Sequence, residues 1–312
     1  MANNAQDKQK LLKLLLQKKG IGLKNNTIPK RDLSQPVPLS FSQERLWFLY
    51  QLEDQGYTYN MPFQFKINGN LDVEIFRKAL ETIKQRHEVL HTSFQSVNEI
   101  PCQIIDPEIK LNLPLIDLEN KTESEQIKEL KRLTDQEIYT SFDLSKAPLM
   151  RPFLVKLRPD SYVLFLSLHH SVFDGWSVKV LIKELSSLYE AFLKKEANPL
   201  PDLAIQYGDY AVWQKQQIQG EKLTKLINYW QQQLTGIPPL LDIPTDRPRP
   251  PIQTFKGNSC KFLLNQELSQ KLKELSQKSA STLNMTMLTA FNLLLYRYSH
   301  QEDIVIGIPT GN

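Results

Sequence analysis

The stretch YVLFLSLHHSVFDGWS, residues 162–177, constrains the fold more than any other part of the chain. Tyr162–Leu168 is an unbroken, mostly apolar run and reads as a strand. It ends on His169-His170, and Asp174-Gly175 then turns the chain into a helix expected from about Trp176 to Lys194. Adjacent side chains in a strand point to opposite faces. His169 and His170 therefore cannot both address one site while the strand stays regular. One faces into the fold and the other into a cleft at the strand's end. The protein has five histidines in 312 residues, and two of them sit here.

Metal chemistry fits this pair poorly. A zinc site needs three or four convergent ligands; the one H-x3-H pair, His87 and His91, has no C-x2-C or further histidine near it in sequence to complete a set. Cys102 and Cys260 lie far apart, so no metal is expected. Two readings of the histidines stay open. One is a strand-end imidazole satisfied by backbone. The other is a proton acceptor, suited to neutral pH by a reference pKa of ~6.5. The fixed Asp174, the open backbone of Gly175 and the strand-to-helix turn favour the second. Asp174 reads as a partner that fixes the turn, its natural use being an ion pair with an arginine.

The rest of the chain alternates strands and helices, which predicts a mixed α/β (α+β) fold with a largely antiparallel or mixed sheet. Strands are expected at 61–67, where Met61, Phe63, Phe65 and Ile67 share one face, and at 89–97, 102–105, 149–157, 162–168, 259–264 and 303–308. Pro101 marks a turn. Helices are expected at about 72–87 (Ile75, Ala79, Leu80 and Ile83 inward), 123–138, 176–194, 265–279 and 284–298. A long helical region runs from about 205 to 234. EANPLPD, 196–202, reads as a lobe boundary, and the proline-rich 236–251 as a crossing segment.

Net charge is +4. The excess sits in the first 31 residues, where Lys8, Lys10, Lys13, Lys18, Lys19, Lys24, Lys30 and Arg31 face Asp7 alone. The body is near neutral, so no nucleic-acid partner is expected. No apolar run approaches the ~20 residues of a membrane span, so no membrane partner is expected either. Two distant cysteines suit a reducing cytosol, and the expected localisation is cytoplasmic. Residues 8–19 read as an amphipathic basic helix: a solvated leader, a docking helix for another protein, or a membrane-surface helix.

HHSVFDGWS (169–177) resembles the HHxxxDG motif of condensation domains of nonribosomal peptide synthetases. SFSQERLWFL (40–49) resembles their SxAQxRLWxL, with Ser42 in place of Ala. RHEVLHTSF (86–94) is similar to RHExLRTxF, with His91 where a second Arg is usual. YGDYAVW (207–213) fits YxDYAVW in full. The motifs occur in the family's order. The resemblance implies a chloramphenicol acetyltransferase-like two-lobe sandwich with a tunnel between the lobes. Residues 1–35 would be a basic helix and linker, 36–200 the N-terminal lobe, and 201–312 a partial C-terminal lobe whose sheet is incomplete. Leu288, Phe291 and Leu295 would then lack partners.

The resemblance also implies the chemistry. Upstream and downstream peptidyl carrier proteins, with other synthetase domains or subunits, would be the partners. Their phosphopantetheine arms would bring in an acyl or peptidyl donor thioester and an aminoacyl acceptor, with no cofactor bound by the domain itself. His170 would orient or deprotonate the attacking amine, with His169, Asp174 and Gly175 completing the catalytic motif. Asp174 would pair with a base, the candidates being Arg86, His91, Arg45 and Arg151. Ser171, Trp176 and Ser177 would line the substrate channel. Two other functions remain: a non-catalytic remnant or carrier-docking module, and an acyltransferase using soluble acyl-CoA.

Overall fold

The computed structural model describes residues 27–52, 56–248, 250–251 and 257–309, so the amphipathic helix expected at 8–19 lies outside the described residues. The chain divides into two compact units, one ending at Gln219 and the other beginning at Gly220.

The first unit opens with β1 (Val37–Pro38), α1 (Phe41–Leu52), β2 (Asn60–Asn68) and α2 (Val73–Arg86). A 3-10 turn (Glu88–His91) leads into the hairpin β3 (Thr92–Val97) and β4 (Ile100–Ile105), then β5 (Leu115–Asp117) and α3 (Glu123–Tyr139). The antiparallel pair β6 (Met150–Arg158) and β7 (Ser161–His169) follows, then α4 (Gly175–Leu193) and α5 (Tyr207–Gln217). One sheet has the order β1-β4-β3 and the other β2-β7-β6-β5. β5 and β6 are parallel, and α3 supplies the crossover such a pair requires.

β7 sits inside its sheet with β2 on one side and β6 on the other, which is why its sequence is apolar on both faces. Leu164, Leu166 and Leu168 face a core built with Phe76, Ala79, Leu80 and Ile83 of α2 and Leu181, Leu185 and Leu188 of α4. Phe76 takes an inward place that the sequence pattern assigned to Ile75, which is half-buried. Val163 and Phe165 face a smaller core with Phe153, Val155 and Leu133 of α3. Each buried side chain of this size contributes roughly 1.5–3 kcal/mol. The expected face of β2 forms: Met61, Phe63, Phe65 and Ile67 all pack on the larger core. α2 starts where Asp72 accepts hydrogen bonds from the N–H groups of Glu74 and Ile75.

Several elements differ from the sequence expectation. The strand expected from Val89 begins only at Thr92. Before it, the Leu90 N–H bonds to the His87 carbonyl at 2.9 Å, closing a turn that buries Leu90 and His91. The next reversal is made by Asn98 and Glu99, with φ of 50° and 66°, whereas Pro101 lies within β4 opposite Ser96. Two positive φ values in a two-residue loop match the right-handed twist of the flanking strands.

The second unit contains α6 (Gly220–Gln233), α7 (Gln266–Lys278) and α8 (Leu283–Ser299). The helical region expected to run unbroken to Leu234 stops at Gln217 and restarts at Gly220, whose φ is +55°. The strands expected at 259–264 and 303–308 do not form. A strand needs a neighbour for its N–H and C=O groups, and among the described residues neither segment has one; Leu263 is 99% exposed. Of the apolar residues noted on α8, Phe291 is exposed and Leu288 and Leu295 are half-buried.

Candidate active site

β7 ends at His169 and His170 opens the turn beyond it, so the two are separated by the end of the strand, one buried and the other exposed, and not by alternation along it. His169, opposite Asn60 on β2, is 2% exposed and lies edge-on to the rings of Tyr59 and Phe142. Its Nδ1 accepts the Ser171 N–H at 3.2 Å and lies 2.8 Å from Ser171 Oγ. An Nδ1 that accepts a backbone N–H carries no proton, so the Ser171 hydroxyl donates to it and the neutral ring holds its proton on Nε2. Burial, aided by the charge of His170, pushes the His169 pKa down to about 4. His169 is a neutral structural imidazole at neutral pH. Ser171, expected to line the channel, is instead buried and turned toward His169, because that imidazole needs a donor.

His170 is exposed. Its N–H donates to the Tyr59 carbonyl at 2.9 Å, and the Val172 N–H closes the turn onto the His169 carbonyl at 3.1 Å. Asp174 is the N-cap of α4: its Oδ1 accepts the Ser177 N–H at 2.8 Å and the Ser177 hydroxyl at 2.5 Å. Gly175, the first residue of α4, is exposed, and a methyl group placed on it would meet no heavy atom within 4 Å. Trp176 beside it is 78% exposed. Val172, Phe173, Trp176 and Ser177 share a cavity of about 130 Å³ with residues of α2 and α4. The loop thus presents one exposed imidazole next to open backbone at a helix start. Among the described residues, no group of three or more His, Cys, Asp or Glu side chains could hold a metal ion.

The sequence profile of the Condensation domain family matches residues 34–312. The chain belongs to the condensation-domain family. One of the linear gramicidin synthase subunits of Brevibacillus parabrevis is 44% identical over 275 residues, covering 88% of this chain and 5% of that much longer protein. The crystal structure of the X-domain from teicoplanin biosynthesis aligns with a TM-score of 0.75 at 26% identity, covering 87% of this chain and 59% of that one. The first condensation domain of the CDA synthetase aligns at 0.70 with 19% identity, covering 87% and 64%. The fold is therefore the chloramphenicol acetyltransferase-like one that the motifs implied. The chain spans only a small fraction of the curated synthase it matches and about three fifths of these solved domains.

In this condensation domain, no candidate base pairs with Asp174. Arg86 bonds instead through Nε to Glu184 of α4 at 3.2 Å, and His87 Nε2 lies 2.7 Å from the other Glu184 oxygen. Arg151 pairs with Glu137 of α3 at 3.2 Å and lies over the Phe142 ring. His91 is buried, with Nδ1 2.8 Å from the Lys84 carbonyl. Arg45 is exposed on α1. The ion pair expected at Asp174 is replaced by a capping box because Ser177 stands three residues on, within reach of the carboxylate.

The remaining motifs are tied to one another by polar contacts. Arg31 hydrogen-bonds Asp209 through Nη1 and forms an ion pair with Glu88 through Nη2, each at 2.8 Å. Burial opposes ionisation of Asp209, but the N–H groups of Gln206 and Arg31, with the Arg31 guanidinium, outweigh it and hold the carboxyl below its ordinary range. The Gln206 amide donates to the Arg86 carbonyl at 2.9 Å and accepts the Glu88 N–H at 3.2 Å. Tyr207 OH meets Ser40 Oγ at 2.9 Å, and burial, with the charge of Asp174, raises its pKa. Sequence reasoning missed Glu184, Gln206 and Arg31. Glu184 lies on α4 ten residues beyond Asp174, and no local pattern ties it to position 86.

Proposed function

We propose that this chain forms amide bonds between carrier-borne thioesters, with His170 as the residue that meets the attacking amine. One observation carries the reading: in a family-typical HHxxxDG loop, His170 is the exposed imidazole and His169 is buried and neutral. The amine of the aminoacyl thioester attacks the donor carbonyl carbon. The new C–N bond forms, the C–S bond breaks, and the donor arm leaves as a thiol. His170 accepts a hydrogen bond from the amine N–H, aligns the nitrogen lone pair on the carbonyl, and takes the proton that passes on to the leaving sulfur. Orientation is worth up to ~7–11 kcal/mol, against ~10²–10⁴-fold for proton transfer. His170 therefore acts by alignment at least as much as by basicity. His169 and Asp174 hold the loop, Gly175 leaves room beside the reacting atoms, and Trp176 and Ser177 border the acceptor's approach.

On this reading the partners are upstream and downstream peptidyl carrier proteins within a synthetase, and phosphopantetheine arrives on them. The absence of any described helix long and apolar enough to cross a membrane agrees with a cytoplasmic assembly line. On this reading 36–200 serves as the N-terminal lobe and 201–312 as part of the C-terminal lobe, although the compact units divide later, at Gln219 and Gly220, with α5 in the first.

The test is to incubate the chain with two loaded carrier proteins and follow product by intact-mass spectrometry. Dipeptidyl carrier from the wild type and a loss of about a hundredfold or more in His170→Ala are expected. Equal product from both, or product only when soluble acyl-CoA replaces the donor carrier, overturns it.

A further inference from the structure

Gln43 lies on α1, is 1% exposed, and reaches the histidine loop from 128 residues away in sequence. Its side-chain nitrogen is 3.2 Å from the Ser171 carbonyl and 3.5 Å from Gln103 Oε1. Its side-chain oxygen accepts the Ser40 N–H at 3.0 Å. These partners settle the amide's orientation. Two acceptors can be served only by the NH₂ group, and a backbone donor only by the oxygen.

Every neighbour of this amide is itself held. Ser40 Oγ accepts the Gln43 N–H at 3.2 Å and meets Tyr207 OH. Gln103 donates to the Pro38 carbonyl at 2.8 Å. A buried, fully bonded polar network of this kind is stiff, and losing one donor leaves acceptors unpaired. On the loop side, His170 is held at its own N–H by Tyr59 and, one residue on, at the Ser171 carbonyl by Gln43. Its exposed ring has no side-chain hydrogen bond among the described residues. The backbone on either side therefore sets the position of the His170 Cα–Cβ bond, and with it the region the imidazole can reach.

We propose that Gln43 is a positioning residue, whose amide clamps the Ser171 carbonyl and so aims His170. This rests on the reading of His170 given above. The amide works from behind the loop and touches no substrate.

Gln43→Glu tests it, because the two side chains have the same shape. A carboxylic acid can donate its one O–H to the Ser171 carbonyl and accept from Ser40, giving up only the 3.5 Å contact to Gln103. A carboxylate cannot donate, and its burial raises the pKa at which it forms. The variant should thus be switched by pH. Rates are measured with loaded carriers at pH 8 and pH 5.5, scaled to the folded fraction from circular dichroism. Relative to wild type, kcat of Gln43→Glu should fall about a hundredfold at pH 8, the cost of a misplacement of order 1 Å. KM should stay within about twofold, and most of the loss should be recovered at pH 5.5. A variant-to-wild-type ratio independent of pH, or a loss confined to KM, overturns the proposal.

A second readout does not need the reaction. Amide hydrogen exchange across 170–172 should lose protection in Gln43→Glu at pH 8 and regain it at pH 5.5, both relative to wild type at the same pH. Unchanged protection overturns the clamp. Should wild type form no product, the condensation reading fails and the exchange result alone judges the clamp.

Discussion

Glu184 holds Arg86 at 3.2 Å with one carboxylate oxygen and His87 at 2.7 Å with the other. The pair Arg86–Glu184 joins the end of α2 to the middle of α4, the helix that starts at the histidine loop. Both side chains are about nine-tenths buried. The arginine of the RHE motif therefore works on the helix behind the loop and leaves the loop's own aspartate to cap that helix.

Removing Glu184 leaves a buried guanidinium unpaired. Glu184→Gln is expected to destabilise the first unit by about 3 kcal/mol, the usual cost of breaking a buried pair from one side. Urea unfolding of the wild type and the variant measures it. A change under about 0.5 kcal/mol would mean that the pair is solvated.

Asp174 acts as a cap, and caps tolerate asparagine. Asp174→Asn should keep stability within about 0.5 kcal/mol of wild type, and Asp174→Ala should lose about 1 kcal/mol. Thermal melts of the two variants decide it. An ion-paired Asp174 would suffer alike from both.

His169 predicts an acid-sensitive fold. Its pKa lies near 4 in the folded protein against ~6.5 unfolded. Between these values the unfolded state binds the extra proton, so the stabilising contribution is present above the unfolded pKa and lost as pH falls toward the folded one. Lowering the pH from 7 to 5 should cost about 2 kcal/mol through this residue. Chemical denaturation at both pH values, in wild type and His169→Asn, checks it. The pH-dependent loss should shrink by that amount in the variant.

Gly208 lies where Arg31 crosses α5. A Cβ there would come within 3.1 Å of Arg31 Cζ, Arg31 Nη1 and Val37 Cγ1. Gly208→Ala should displace Arg31 from Asp209 and Glu88 and cost roughly 1–3 kcal/mol, as overpacking does. Differential scanning calorimetry measures the loss. An unchanged or raised melting temperature would show that Arg31 moves aside freely.

Much of the site was legible in the order of residues alone. Alternation of side chains along a strand predicted one histidine turned inward and the other outward, and Asp174-Gly175 announced the start of α4. Apolar periodicity identified β2 and α2, an unbroken apolar run identified β7, and turn signals bounded β6 and α4, because each of these is written locally. Which histidine is exposed, and that Ser171 turns inward to serve the other, depended on Tyr59 and Phe142 packing around His169 at the end of β7. The partners of Arg86, Arg151 and Asp174 likewise followed from which helix packs on which face. The two unformed strands in the second unit make the same point. Residues 259–264 read as a strand, but pairing needs a neighbour, and a neighbour is supplied by the fold. Local period and turn chemistry act over a few residues and can be read from sequence, whereas ion pairs and sheet neighbours join residues such as Gln43 and Ser171, which only folding brings together.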